Sequence, residues 1–221
     1  MFVITNLITS QHSSYDLSVH APDPALHEFV RDYFIVHFTF DKDENIPFKP
    51  YSPKPEQTIT FLPKGHLIIN NPLTGEAQIA PVTSICGQQV SGYNFHLTSE
   101  YLMLRVHFQP GALFRLLHIP ISQFTDCWFD AESVIGREIS DVNDRLANCM
   151  NYDQMIFAVE EYLIKKIRKV KTSTHQLDEV ASCLFTNPSR FSLDWLTKQS
   201  CLCPRQFNRK FIERIGVGPK L

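Results

Sequence analysis

The spacing of apolar and polar residues changes period once along the chain, close to Pro120. Before that point the apolar runs are short and bounded by Pro, Gly or Asn: "DYFIVHFTF", "QTITFLP", "HLIIN", "TSICGQQV" and "YLMLRVHF". Runs of this length, rich in β-branched and aromatic residues and punctuated by turn formers, predict strands of an all-β unit. In the last run the period is two. Leu102, Leu104, Val106 and Phe108 point one way, while Tyr101, Met103, Arg105 and His107 point the other. Two faces of unequal polarity predict a sandwich or a small barrel.

Beyond Pro120 the period becomes helical. In "YDQMIFAVEEYLIKKIRKV", Ile156, Val159, Leu163, Ile167 and Val170 recur at spacings of three and four, opposite Glu160, Glu161, Lys165 and Lys169. This stripe needs a partner surface, either the β unit or the same helix of a second subunit, and the second option predicts a homodimer. "HQLDEVASCLF" gives a further helix with Leu177, Val180, Ala181, Leu184 and Phe185 buried, and "TNPSR" interrupts it. Two short helices follow. The first has Ser192 as N-cap, Asp194 at the positive end of the helix dipole, and Trp195 and Leu196 as anchors. The second begins with Pro204 at its first position, spaces Phe207, Phe211 and Ile215 by four, and ends at Gly216.

With those phenylalanines turned inward, Arg205, Asn208 and Arg209 share the outer face. Arg is suited to a guanine edge and Asn to adenine, so a short helix–turn–helix of this kind has the chemistry for the major groove of double-stranded DNA. The same spacing also fits an ordinary helical hairpin with a solvated basic face. Charge adds a little: residues 1–159 carry 9 Lys and Arg against 17 Asp and Glu, and residues 160–221 carry 12 against 6. An acidic body thus leads into a basic tail, which suits contact with an anion or simply a solvated face.

"SLDWLTKQSCLCPRQFNRKFIERIGVGP" resembles the first helix–turn–helix of the AraC/XylS transcription regulators through Leu196, Leu202, Phe207, Arg209, Phe211, Gly216 and Pro219. The helix from about His175 to Thr186 is similar to the supporting helix of that subdomain. Three positions depart from the pattern: Thr197 stands for a small Ala, Cys201 for the turn Gly and Cys203 for the capping Ser. The resemblance implies that Arg205, Asn208 and Arg209 read bases, while Gln206, Lys210, Arg190 and Lys198 contact the phosphate backbone. It also implies a second helix–turn–helix, joined where this chain reaches Lys220 and Leu221, so a truncated regulator is expected. The stretches "APDPALHEFVRDYFIVHF", "ITFLPKG" and "LMLRVHFQPGALFRLLHIPISQFTD" resemble sensor domains of the same family. They imply a cupin-like β domain that senses a small molecule or mediates self-association.

Catalysis is not expected. The nine histidines never form the His-x-His pair of a metal cupin, and G-x-S-x-G, P-loop and H-E-x-x-H motifs are absent. Cys201 and Cys203 lack a second ligand pair, so neither metal nor other cofactor is called for. Six scattered cysteines without a recognisable signal peptide predict reduced thiols in a cytoplasmic protein, and no apolar run reaches membrane-spanning length. Arg105 and His107 remain as candidate ligand-binding residues if their strand face lines an interior. Otherwise they pair with local carboxylates or meet solvent.

The expected architecture is α+β: a β-rich, cupin-like sandwich or barrel domain over 1–125, an all-α helical connector over 126–171, and a helix–turn–helix subdomain over 172–221. The expected function is sequence-specific transcription regulation answering to an effector. The alternative is a small-molecule-binding or dimerising module without autonomous DNA binding, and a β-barrel enzyme ranks third.

Overall fold

The computed structural model describes residues 14–41, 46, 48–171, 174–186 and 191–219. Its first half is built from strands β1 (Ser14–His20), β2 (Val30–Thr39), β3 (Lys49–Tyr51), β4 (Thr58–Lys64), β5 (Leu67–Asn70), β6 (Ala77–Ile79), β7 (Thr83–Cys86), β8 (Tyr93–Leu97) and β9 (Glu100–Phe108). Helix α1 (Ala112–Leu117) and a 3-10 turn (Ile121–Phe124) lead to β10 (Phe129–Asp130), α2 (Ala131–Ile135), α3 (Glu138–Ala147) and α4 (Tyr152–Ile167). Three helices complete the described chain: α5 (Gln176–Thr186), α6 (Leu193–Gln199) and α7 (Pro204–Ile215). This is a mixed α+β protein with antiparallel sheets first and helices after.

The strands form two sheets, one in the order β1-β2-β9-β4-β7-β10 and a smaller one in the order β3-β8-β5-β6. β9 lies at the centre of the larger sheet, between β2 and β4. Its alternation therefore divides two cores rather than core from solvent. Leu104 and Val106 join a cluster with Ile139, Val142, Val159 and Leu163 of the overlying helices. Tyr101 and Met103 join Leu67, Ile69 and Phe95 of the smaller sheet. A strand buried on both faces can hold polar side chains only where partners are waiting for them, and this decides the surroundings of Arg105 and His107.

The α4 stripe finds its partner within the chain. Ile156, Val159 and Leu163 are buried and Ile167 is half-buried, all against the larger sheet's core. Burying a side chain of this kind contributes about 1.5–3 kcal/mol, enough to fix α4 to the sheet without a second subunit. The stripe thus gives no reason for a homodimer. The stretch expected as a connector likewise opens with β10, which pairs with β7, and lays its helices on the sheet.

Helices α5, α6 and α7 enclose a core of their own, made by Leu177, Val180, Ala181, Leu196, Phe207, Phe211 and Ile215. A buried ion pair reinforces it: Arg214 donates from Nε to Asp178 Oδ1 at 2.7 Å and from a terminal nitrogen to Oδ2 at 2.5 Å. The guanidinium also lies over the Phe114 ring, 4.7 Å from its centroid, so the pair touches α1 as well.

The C-terminal end of α7 docks on the β domain. A helix end leaves carbonyls without intrahelical partners. Here Gln57 Nε2 donates to the carbonyls of Arg214 and Ile215 at 3.2 Å, and Thr125 Oγ1 donates to that of Gly216 at 3.0 Å. Gly216 has φ 101°, and a Cβ there would stand 3.1 Å from Ile121 Cγ2. The left-handed turn favours glycine here, and the close approach leaves little room for a side chain.

Candidate functional site

The reading face predicted on α7 is formed by its N-terminal half. Pro204 starts the helix, and Cys203 is the N-cap residue without any side-chain hydrogen bond. A thiol is a poor acceptor, so the first amides of α7 lack the cap that a serine would supply. Phe207 and Phe211 are both 0% exposed. One turn of helix geometry then places Arg205, Asn208 and Arg209 outward, and all three are exposed. Among the described residues none of the three makes a side-chain hydrogen bond or an ion pair. Neither Asp194 nor Glu213 pairs with Arg209; the ion pair that braces α7 is that of Arg214 with Asp178. Arg214 gave no distinct signal in the sequence, because its partner lies 36 residues away.

The residues expected to contact phosphate are also accessible in part. Gln206 and Lys198 are exposed and Lys210 is partly so. Arg190 lies outside the described residues. Ser192 caps α6 by accepting from the Trp195 amide at 3.2 Å, and Trp195 stacks on Phe191 at 4.4 Å between centroids. Leu196 is buried as an anchor, whereas Trp195 remains 37% exposed. Thr197 is accommodated by turning its hydroxyl back onto the carbonyls of Leu193 and Asp194. Cys201, in the turn, takes φ 53°, the left-handed conformation that a glycine adopts freely.

Arg105 and His107 share one face of β9 but have different surroundings. His107 is gripped by carboxylates, with Nδ1 2.5 Å from Asp32 Oδ1 and Nε2 3.3 Å from Glu56 Oε2. Arg31 completes this cluster, reaching Asp32 at 2.7 Å and Glu56 at 3.5 Å. Burial works to raise the Glu56 pKa, but the nearby His107, Lys54 and Arg105 outweigh it and hold the carboxyl at about 2. His107 is thus held between local carboxylates. Arg105, 6% exposed, instead donates to Thr60 Oγ1 at 3.1 Å and to the Tyr51 hydroxyl at 2.9 Å, and it has no carboxylate partner among the described residues.

Among the described residues no group of three or more His, Cys, Asp and Glu is placed to hold a metal ion, and no helix is long and apolar enough to cross a membrane.

Comparison with known proteins gives distant likenesses. No curated protein matches the chain. Among solved structures, ToxT from Vibrio cholerae is similar at 11% identity, with 85% of this chain and 95% of that one covered and a TM-score of 0.39. The AraC-like transcriptional activator CuxR shares 8% identity over 96% of this chain and 78% of its own, with a TM-score of 0.37. A putative ethanolamine utilization protein from Salmonella typhimurium shares 14% identity over 42% of this chain and 68% of its own, with a TM-score of 0.32. All three scores are too low to establish a shared fold. The profile of a domain of unknown function, DUF6597, matches residues 18–130, which is half of the chain and takes in both sheets from within β1 to β10. The protein belongs to the DUF6597 family.

Proposed function

We propose that the protein is a transcription regulator of AraC type that binds double-stranded DNA through α7 and answers to a small effector held by its β domain. The observation that carries this reading is the division of α7. Phe207 and Phe211 are fully buried, while Arg205, Asn208 and Arg209 stand exposed and unpaired on one face near the helix start. In helix–turn–helix recognition the N-terminal residues of the second helix meet base edges, and the far end of α7, where it docks on Gln57 and Thr125, is turned away from that task. Arg205, Asn208 and Arg209 read bases; Gln206, Lys198 and Lys210 set register on the phosphates. In this reading the protein is cytoplasmic, catalyses no reaction and acts as a homodimer, whose paired heads multiply weak half-site affinities.

The test begins with selection of binding sites from a randomised duplex pool by the full chain. Anisotropy titrations on the selected site across a range of salt then compare variants. Arg209→Ala should lose about 1–3 kcal/mol on that site, and Lys210→Ala should weaken all sequences alike and lower the salt slope by about one. Unchanged specific binding after joint replacement of Arg205 and Arg209 by alanine overturns the assignment.

A further inference from the structure

The interior between the two sheets holds a cavity of about 110 Å³ lined by Phe34, Phe38, Phe95, Tyr101 and Met103 on its apolar side. Its polar lining is cationic: Arg105, Lys49 and Lys54 all face it, together with Tyr51 and Ser52, and no acidic residue lines it. Three features separate this arrangement from a solvated basic patch. Arg105 is buried, and its known donations go to two neutral hydroxyls rather than to a carboxylate. Neither Lys49 nor Lys54 enters an ion pair among the described residues. The three cations instead sit beside aromatic faces: Arg105 and Lys54 lie 5.7 and 5.3 Å from the Tyr51 centroid, and Lys49 lies 6.0 Å from that of Phe38.

Like charges gathered at one cavity repel one another: Glu56 acts on Arg105 and Lys54 from outside the lining, but among the described residues no carboxylate pairs directly with any of the three cations, of which Arg105 is buried, Lys49 half-buried and Lys54 exposed. Lys49 registers these surroundings. Burial, with Lys54 and Arg105 adding to it, pushes its pKa down to about 8. What the lining itself lacks is a negative charge facing these cations, which a ligand would deliver on a body that the aromatic walls can cover. Cavity size limits that body. A volume of 110 Å³ is room for about four waters, which suits a body of two or three carbons and excludes a long acyl tail.

We propose that this cavity is a binding site for a small monocarboxylate with a compact apolar body, its carboxylate received by Arg105, Lys49 and Lys54 and its body by the aromatic walls. The proposal deepens the effector part of the function above and rests on the sensor reading of the β domain. It does not depend on whether α7 reads DNA.

Calorimetric titration of the full chain with propionate, and with its neutral amide as an isosteric control, tests it without any nucleic acid. The acid should bind saturably and raise the melting temperature, and the amide should bind at least tenfold more weakly. Lys54→Met, at an exposed position that folding does not need, should weaken the acid at least tenfold and leave the amide unchanged. Arg105→Met should do the same if it folds. Near pH 8, titrations in buffers of different ionisation enthalpy should show proton uptake on binding, since a carboxylate beside Lys49 restores its charge. Equal binding of acid and amide, or no saturable binding of the acid at millimolar concentration (on the order of the weakest specific sites), overturns the proposal. So does equal binding of inorganic phosphate, which would mark a site for any anion. None of these outcomes touches the selection of DNA sites, so failure here and failure of the DNA reading are separable.

Discussion

Replacing Arg214 by methionine should be the most damaging single change in the helical half of the chain. Arg214 and Asp178 have side-chain exposures of 8% and 4%, and two charge-assisted bonds at 2.7 and 2.5 Å join them. Removing the guanidinium leaves the Asp178 carboxylate buried with the His175 amide, at 3.1 Å, as its remaining external donor. Breaking a buried pair from one side costs about 3–5 kcal/mol, because the orphaned charge loses its partner and gains no water. Set against a typical stability of about 5–15 kcal/mol, that is enough to unfold α5–α7 locally before the β domain melts. The double variant Arg214→Met with Asp178→Leu removes both charges and should recover most of the loss. Urea unfolding of the four members of the cycle measures the coupling, and amide hydrogen exchange locates it in residues 174–219. Arg214→Met within about 1 kcal/mol of the wild type, or a double variant as unstable as the two single losses added, would refute the reasoning.

Three further changes are expected to be measurable. Cys201→Gly relieves a left-handed residue with φ 53° and should raise stability in denaturant by about 1 kcal/mol, whereas Cys201→Val should lower it. Cys203→Ser gives α7 the cap it lacks and should add up to about 1 kcal/mol, with slower exchange of the first amides of that helix as a second readout. Because the folded Glu56 carboxyl is held near 2 against an ordinary 4.5, its contribution is present above about 4.5 and is lost as pH falls through 2. The acid limb of the stability curve between those values should therefore flatten in Glu56→Gln.

The parts of this protein legible in its sequence are those fixed by near neighbours. The caps of α6 and α7, the split between Phe207 and Arg209, and the left-handed Gly216 all depend on residues within one or two turns, and all lie where the spacing puts them. Five strands are legible as short apolar runs bounded by turn formers, β9 through its alternation as well. β1, β3, β6, β8 and the two-residue β10 are not. β3 and β6 have three residues each, Pro50 sits inside β3, and β6 is exposed throughout, so neither shows a period. β1 and β8 carry mixed, half-exposed patterns that local reading cannot tell from loop. The surroundings of Arg105 and His107 were equally hidden. Adjacent positions on one face of β9 end in a carboxylate cluster and a cationic cavity because β2 supplies Asp32 to the first and β3 supplies Tyr51 to the second. The three-sided tie of Arg214 to Asp178, Phe114 and, through its carbonyl, Gln57 likewise depends on pairs far apart in sequence.

The docked end of α7 also bears on the geometry of any paired arrangement. A reading head on a slack tether samples many orientations, and two such heads tolerate many separations between their targets at an entropic cost on each engagement. Here Gln57 and Thr125 seat the last turn of α7 on the segment leading into β4 and the turn before β10, and Arg214 seats it on α1. The head is therefore indexed to the sheet. If two copies engage DNA together, the body of the protein acts as a ruler: it sets one separation and one helical phase, and inserting half a turn of duplex between half-sites should be far more harmful than inserting a whole one.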